Sequence, residues 1–90
     1  MVINRDIEEC INTAREFGAR RIILFGSALT SRETARDIDL IIDGVSEWDS
    51  IRLGALMEDR ISVPVDIICG DNASAFTDLN RTRGKILYEA

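Results

Sequence analysis

A chain of 90 residues is long enough for one domain with a hydrophobic core and too short for a second, so residues 1–90 are expected to form a single domain. Its hydrophobic fraction of 46% and charged fraction of 30% exclude the composition of an intrinsically disordered chain. The formal net charge of -5 argues against general nucleic-acid binding, which needs clustered lysine and arginine.

Neither a leader peptide nor a membrane anchor is predicted. The opening MVINRDIEEC has no basic region followed by an apolar run, and no apolar stretch approaches the roughly 18 residues of a membrane span. Cys10 and Cys69 lie in apolar segments without short paired spacing, which predicts buried thiols rather than disulfides or a zinc site. We therefore expect a cytoplasmic protein.

The chain begins with a predicted helix and strand. Apolar residues at helical spacing predict a helix from about Arg5 to Phe17, with Asn4 as its N-cap. The run RRIILF is rich in β-branched residues and is followed by Gly26, which predicts a buried strand.

A second strand is predicted after a polar connector. Residues 28–36 have no convincing periodicity, whereas DIDLIID is a strand pattern ended by Gly44. Side chains two residues apart in a strand project to the same face, so we expect Asp37 and Asp39 to do so.

The next predicted helix starts from a capping-box pattern and ends at about Arg60. Ser46 precedes Asp49 by three residues, and an apolar stripe follows, formed by Trp48, Ile51, Ala55 and Leu56. Phe17, Trp48 and Phe76 are interpreted as core residues rather than base-stacking platforms.

The chain ends with a predicted strand, a helix and a tail. SVPVDIIC predicts a third buried strand with Pro64 at its beginning, where a missing donor is tolerated. A short helix near Ala73 to Asn80 and the tail KILYEA follow. The order of helix, strand, strand, helix, strand and helix predicts an α/β (α+β) fold, a small mixed sheet with helices packed on it.

The first strand ends in a glycine and a serine. Gly26 has no Cβ, so backbone amides can approach a phosphate closely, and the Ser27 hydroxyl can donate to a phosphate oxygen. Taken alone, the pair fits an ordinary strand-to-helix turn capped by serine better than a phosphate site.

Three aspartates indicate a cation site. Asp37 and Asp39 repel one another unless a cation relieves the repulsion, and magnesium prefers such hard oxygen ligands. Asp66 interrupts the apolar run VPVDII, where an unpaired carboxylate is costly. These three are the predicted metal ligands, whereas Asp43 and Asp71 are interpreted as structural residues at turns.

The segments LFGSAL, ARDIDLII and VPVDII resemble the polymerase-β-type nucleotidyltransferase superfamily, in its minimal (MNT), antitoxin-like branch. The ending LNRTRGKILYEA is also similar to that family. The resemblance implies a polymerase-β-like fold in which Gly26 and Ser27 bind the triphosphate. It also implies that Asp37 and Asp39 bind two Mg²⁺ ions and that Asp66 helps to activate the acceptor hydroxyl.

The connector between these motifs leaves alternatives open. Ala28 to Arg36 is one residue shorter than is usual in the family, and it carries Arg32 and Arg36. These arginines offset triphosphate charge, contact an acidic partner or are ordinary exposed loop residues; we assign Arg36 to the nucleotide.

The resemblance implies an enzyme that transfers AMP from ATP to a hydroxyl, expected on a partner HEPN-type toxin, so that the protein is an antitoxin. Two alternatives remain: a catalytically impaired antitoxin that masks its toxin, and transfer to a small-molecule hydroxyl. The sequence leaves open whether the chain forms homo- or hetero-oligomers.

Overall fold

Helices and strands alternate along the chain, and the computed structural model describes residues 1–72 and 74–90. The elements are α1 (Asn4–Glu16), β1 (Arg21–Phe25), α2 (Ser27–Thr30), β2 (Ile38–Asp43), α3 (Glu47–Arg60), β3 (Val65–Cys69), α4 (Ala75–Arg83) and β4 (Lys85–Glu89). The predicted elements are confirmed, with shifted ends. The short helix α2 in the polar connector and strand β4 in the tail are additions. The predicted start of the last helix, Ala73, lies outside the described residues.

The strands form a four-stranded sheet in the order β3-β2-β1-β4. Strand β1 is antiparallel to both β2 and β4, whereas β2 and β3 are parallel. The predicted fold class, a small mixed sheet with helices packed on it, is confirmed. Strand β3 lies at an edge of the sheet.

The two faces of the sheet are covered to different extents. One face belongs to the main core, where the strand residues Ile22, Leu24, Leu40 and Ile42 meet side chains of α1 and α3. The other face carries a small cluster of Ile23, Phe25 and Ile41, packed against Ile68. Helix α4 contacts β1 and lies near this second face.

The helices begin at different kinds of cap. At α1 the cap is Ile3, whose backbone N–H donates to the Asp6 carboxylate at 3.0 Å, so the prediction of Asn4 as the cap is wrong. Asp6, which lies within the helix, accepts the hydrogen bond of the Ile3 N–H, and the helix begins one residue earlier than predicted. At α3 the predicted cap is confirmed, because the Ser46 hydroxyl accepts from Asp49 N at 3.1 Å.

The predicted apolar stripe of α3 is wrong. Trp48 and Ile51 are 78% and 67% exposed, and the helix instead buries Ser50, Leu53 and Met57. The hydroxyl of Ser50 donates to the Ser46 backbone carbonyl, so its burial leaves no unpaired donor. The helix is therefore rotated so that Leu53 and Met57 enter the core.

Two other burial predictions need correction. Phe17 packs against the main core as predicted, but Phe76 is 59% exposed. Strand β3 is only partly buried, because it lies at the sheet edge and Asp66 is exposed. The outward-facing N–H of Val65 at the start of β3 donates to the Glu58 carboxylate at 2.7 Å, which ties this edge to α3.

Both cysteines are buried and free, as predicted. Burial, and then the charges of Asp6 and Glu9, raise the pKa of the Cys10 thiol to about 12. Cys10 is therefore a protonated thiol at neutral pH and unreactive. In the part of the chain that the structure describes, no helix combines the length and apolar character of a membrane span.

An ion pair fixes α4 to the sheet. Arg81 donates to both carboxylate oxygens of Asp43, at 2.7 and 2.5 Å, and to the carbonyl oxygen of Gly70 at 2.7 Å. The hydrogen bond from Arg81 lowers the pKa of Asp43, and the nearby arginine charges add to this effect. Asp43 therefore has a structural role, as predicted, but as the last residue of β2 bonded to Arg81 rather than as a turn residue.

We expect Arg81→Met to lower the free energy of unfolding by about 1.5–3 kcal/mol at pH 7, since it removes hydrogen bonds to a half-buried carboxylate. Because the pKa of Asp43 is lowered in the folded state, this stabilisation exists at neutral pH and is lost as pH falls through the folded-state pKa. Urea denaturation at pH 7 and pH 3 measures both effects. Arg83→Met, at an exposed position of the same helix, is the control.

Candidate functional site

The Gly-Ser turn lies between β1 and α2. Gly26 has φ +74° and ψ -157°, a conformation open almost only to glycine, and Ser27 is the exposed first residue of α2. A Cβ built on Gly26 would overlap Oδ2 of Asp39 and lie 3.1 Å from its Cγ. The missing side chain therefore allows the Asp39 carboxylate to lie directly against the turn.

The carboxylates lie in one row across the sheet. Asp39 is the cross-strand partner of Phe25 in β1 and of Asp66 in β3. Cross-strand partners share a face, and neighbouring strands are about 4.8 Å apart. Asp37 comes just before β2. The structure thus brings Gly26 and Asp39 together with Asp66, as the sequence analysis expected.

Electrostatics show that this row accumulates negative charge. Burial raises the pKa of the Asp39 carboxyl, and the charges of Asp37 and then Asp66 raise it further. A cation at this point would offset the repulsion between the three groups.

The donor set fits a magnesium ion that arrives with phosphate. Among the described residues, no group of three or more His, Cys, Asp or Glu side chains is arranged to hold a metal ion, and the predicted role of Asp66 as a third metal ligand stays a prediction. Magnesium commonly uses one or two protein carboxylates and completes its shell with waters and substrate phosphate oxygens. Asp37 and Asp39 beside an open glycine turn suit that mode of binding.

Asp66 does not lie in a buried strand, although the sequence predicted one. An unpaired carboxylate within a buried strand would be costly, but Asp66 is exposed on an edge strand. What singles it out is its position beside Asp39. A groove of about 560 Å³ runs along this edge between β3 and α3, lined in part by Asp66, Ile51 and Ile67.

The connector, residues 28–36, packs well although it is one residue shorter than is usual in the family that it resembles. Ala28 and Ala35 are buried in the main core, so the segment is anchored near both ends. Arg32 donates a hydrogen bond to Asn4 of α1, which directs it away from the role of a phosphate ligand. Arg36 is exposed beside Asp37, and its assignment to the nucleotide stays a prediction.

An aromatic pair that the sequence did not predict lies beside this row. The rings of Phe25 and Phe76 are 6.0 Å apart between centroids and meet edge to face, at 82° between planes. Sequence patterns do not distinguish an exposed phenylalanine from a buried one, so the exposure of Phe76 is visible only in the structure.

The candidate site thus consists of a glycine turn against Asp39 of β2, with Asp66 of the parallel strand β3 in register beside it, on a sheet ordered β3-β2-β1-β4. No protein-family model and no curated protein sequence matches the chain. Solved structures do, and those described next are of toxin–antitoxin complexes.

A chain of a toxin–antitoxin complex with AMP-PNP matches with a TM-score of 0.81 and 20% identity, over 98% of this chain and 75% of that chain. A chain of the tri-AMPylated HEPN toxin of Shewanella oneidensis in complex with MNT antitoxin matches with a TM-score of 0.75 and 20% identity, over 96% and 71%. A chain of the MntA-HepT complex matches with a TM-score of 0.76 and 18% identity, over 98% and 74%. The protein therefore has the MNT-type nucleotidyltransferase fold.

Proposed function

We propose that the protein is a metal-dependent nucleotidyltransferase that transfers AMP from ATP to a hydroxyl of a HEPN-type toxin, and so acts as its antitoxin. The observation that carries the proposal is the contact of Asp39 with the Gly26 turn, with Asp66 in register beside it. The neighbours support it, since one complex contains AMP-PNP and another an AMPylated HEPN toxin.

The residues divide into those that hold the nucleotide and those that act on the acceptor. The Ser27 hydroxyl and the backbone at Gly26 contact the triphosphate, with Arg36 beside them. Asp37 and Asp39 would hold the Mg²⁺ ions, which would supply positive charge to offset the negative charge of the triphosphate.

Asp66 is the group that faces the acceptor. Its exposure at the sheet edge lets a hydroxyl of a second protein approach, and its carboxylate orients that hydroxyl and accepts its proton. The hydroxyl oxygen forms a bond to the α-phosphorus while the bond to the bridging oxygen of the β-phosphate breaks. Pyrophosphate leaves with that oxygen, so atoms and charge balance.

Labelling tests the proposal. The purified protein is incubated with α-labelled ATP, Mg²⁺ and its candidate HEPN-type partner, and label on the partner is followed. We expect label with the wild type and with Asp59→Asn, which changes an exposed carboxylate of α3, and none with Asp37→Asn/Asp39→Asn. A tight complex without label would indicate an antitoxin that only masks its toxin. Label on small hydroxyl compounds alone would indicate the other alternative.

A further inference from the structure

An exposed aromatic ring lies beside the carboxylate row. Phe76 is in the first turn of α4 and is 59% exposed, whereas its neighbour Phe25 is only 7% exposed. In an edge-to-face pair, whichever ring presents its edge, at least one face of Phe76 is not in contact with Phe25. A flat apolar surface is therefore open to solvent.

The ring packs on the residue that precedes the Gly26 turn. Phe25 is the residue before Gly26 and is the cross-strand partner of Asp39. Phe76, packed on Phe25, lies at the β1 end of the row that continues through Asp39 to Asp66.

Helix α4 holds this ring in place. The Ser74 hydroxyl accepts from Thr77 N at 3.1 Å and caps the helix, and the Thr77 side chain is buried. Near the other end, Arg81 is bonded to Asp43 and Gly70. An aromatic ring on an anchored helix loses little freedom when a ligand stacks on it.

We propose that Phe76 is the platform on which the base of the bound nucleotide stacks. The inference rests on the proposed function and adds to it the contact that recognises the nucleoside part of the substrate. Every nucleobase has a π face, so stacking on Phe76 favours nucleoside triphosphates over inorganic triphosphate without selecting one base.

Calorimetric titration tests this inference, with MgATP, MgGTP and magnesium tripolyphosphate as the probes. We expect Phe76→Ala to weaken binding of both nucleotides roughly tenfold or more and to leave tripolyphosphate binding unchanged. Phe76→Tyr keeps an aromatic face and should bind nucleotides like the wild type. Leu79→Ala, which shortens an exposed apolar side chain one turn along α4, is the matched control.

The outcomes separate this inference from the function on which it rests. Equal weakening of ATP and tripolyphosphate, or no weakening at all, would overturn the platform while leaving the proposed function intact. Loss of partner binding alone in Phe76→Ala would make the ring a protein contact and also overturn it. A wild-type protein that binds none of the three probes would overturn both proposals.

Discussion

Asp39→Asn is expected to abolish nucleotidyl transfer and at the same time to make the folded protein more stable. Asp39 is the predicted metal ligand that contacts the Gly26 turn and lies beside Asp66. Metal stabilisation of the transition state is worth several kcal/mol, so the rate should fall about 10³-fold or more. The rate of label transfer measures this loss, with Asp59→Asn as the control.

The gain in stability follows from the electrostatics of the row. Because burial and the charges of Asp37 and Asp66 raise the pKa of Asp39 in the folded state, its ionised form opposes folding at neutral pH. That cost decreases as pH falls through the folded-state pKa and is gone below the ordinary value of 3.8. Urea denaturation should thus show a more stable asparagine variant at pH 7 and no difference near pH 3.

Magnesium with a nucleotide should reverse the order of stability of the wild type and the asparagine variant. In the wild type, Mg²⁺ with a nucleotide offsets the repulsion and raises the melting temperature, whereas Asp39→Asn should respond weakly. A variant that is less stable than the wild type at pH 7 without metal would instead show that the Asp39 carboxylate is a structural group. A variant that retains transfer would remove Asp39 from the site.

Gly26→Ala should damage both folding and activity. The new Cβ would overlap the Asp39 carboxylate, and the backbone conformation of Gly26 is one that alanine rarely adopts. We expect a loss of about 1–3 kcal/mol in the free energy of unfolding. Transfer should also fall steeply at temperatures where the variant is folded, because Asp39 must move.

Gly18→Ala separates the effect of backbone strain from that of a contact with the Asp39 carboxylate. Gly18 also has a positive φ, +84°, but a Cβ there would meet nothing within 4 Å. This control should lose about 1–2 kcal/mol of stability and keep its transfer activity. If both alanine variants keep wild-type activity, the close approach of Gly26 to Asp39 has no role in the reaction.

Local patterns predicted most elements of this fold because apolar periodicity and glycine boundaries are properties of neighbouring residues. Local patterns failed where contacts with distant parts of the chain determine which residues are buried or paired. Either of two faces of α3 offers apolar residues, and only its docking on the sheet selects Leu53 and Met57 over Trp48 and Ile51. Strand β4 was missed because its pairing with β1 is a long-range contact.

The same distinction applies to the candidate site. The sequence indicates Asp37 and Asp39 because they are two residues apart at a predicted strand, and Asp66 because it interrupts an apolar run. The exposure of Asp66 and of Phe76 depends on which strand forms the edge and where α4 lies. Neither is determined by nearby residues.

Under the proposed function, transfer activity depends on the parallel register of β2 and β3. Side chains alternate between faces, so a slip of β3 by one residue would move Asp66 to the helix-covered side, away from Asp39. The hydrogen bond from Val65 to Glu58 opposes such a slip. A chain with misaligned strands would lose the pairing of Asp66 with Asp39. Under the proposed function, such a chain would be unable to modify its partner.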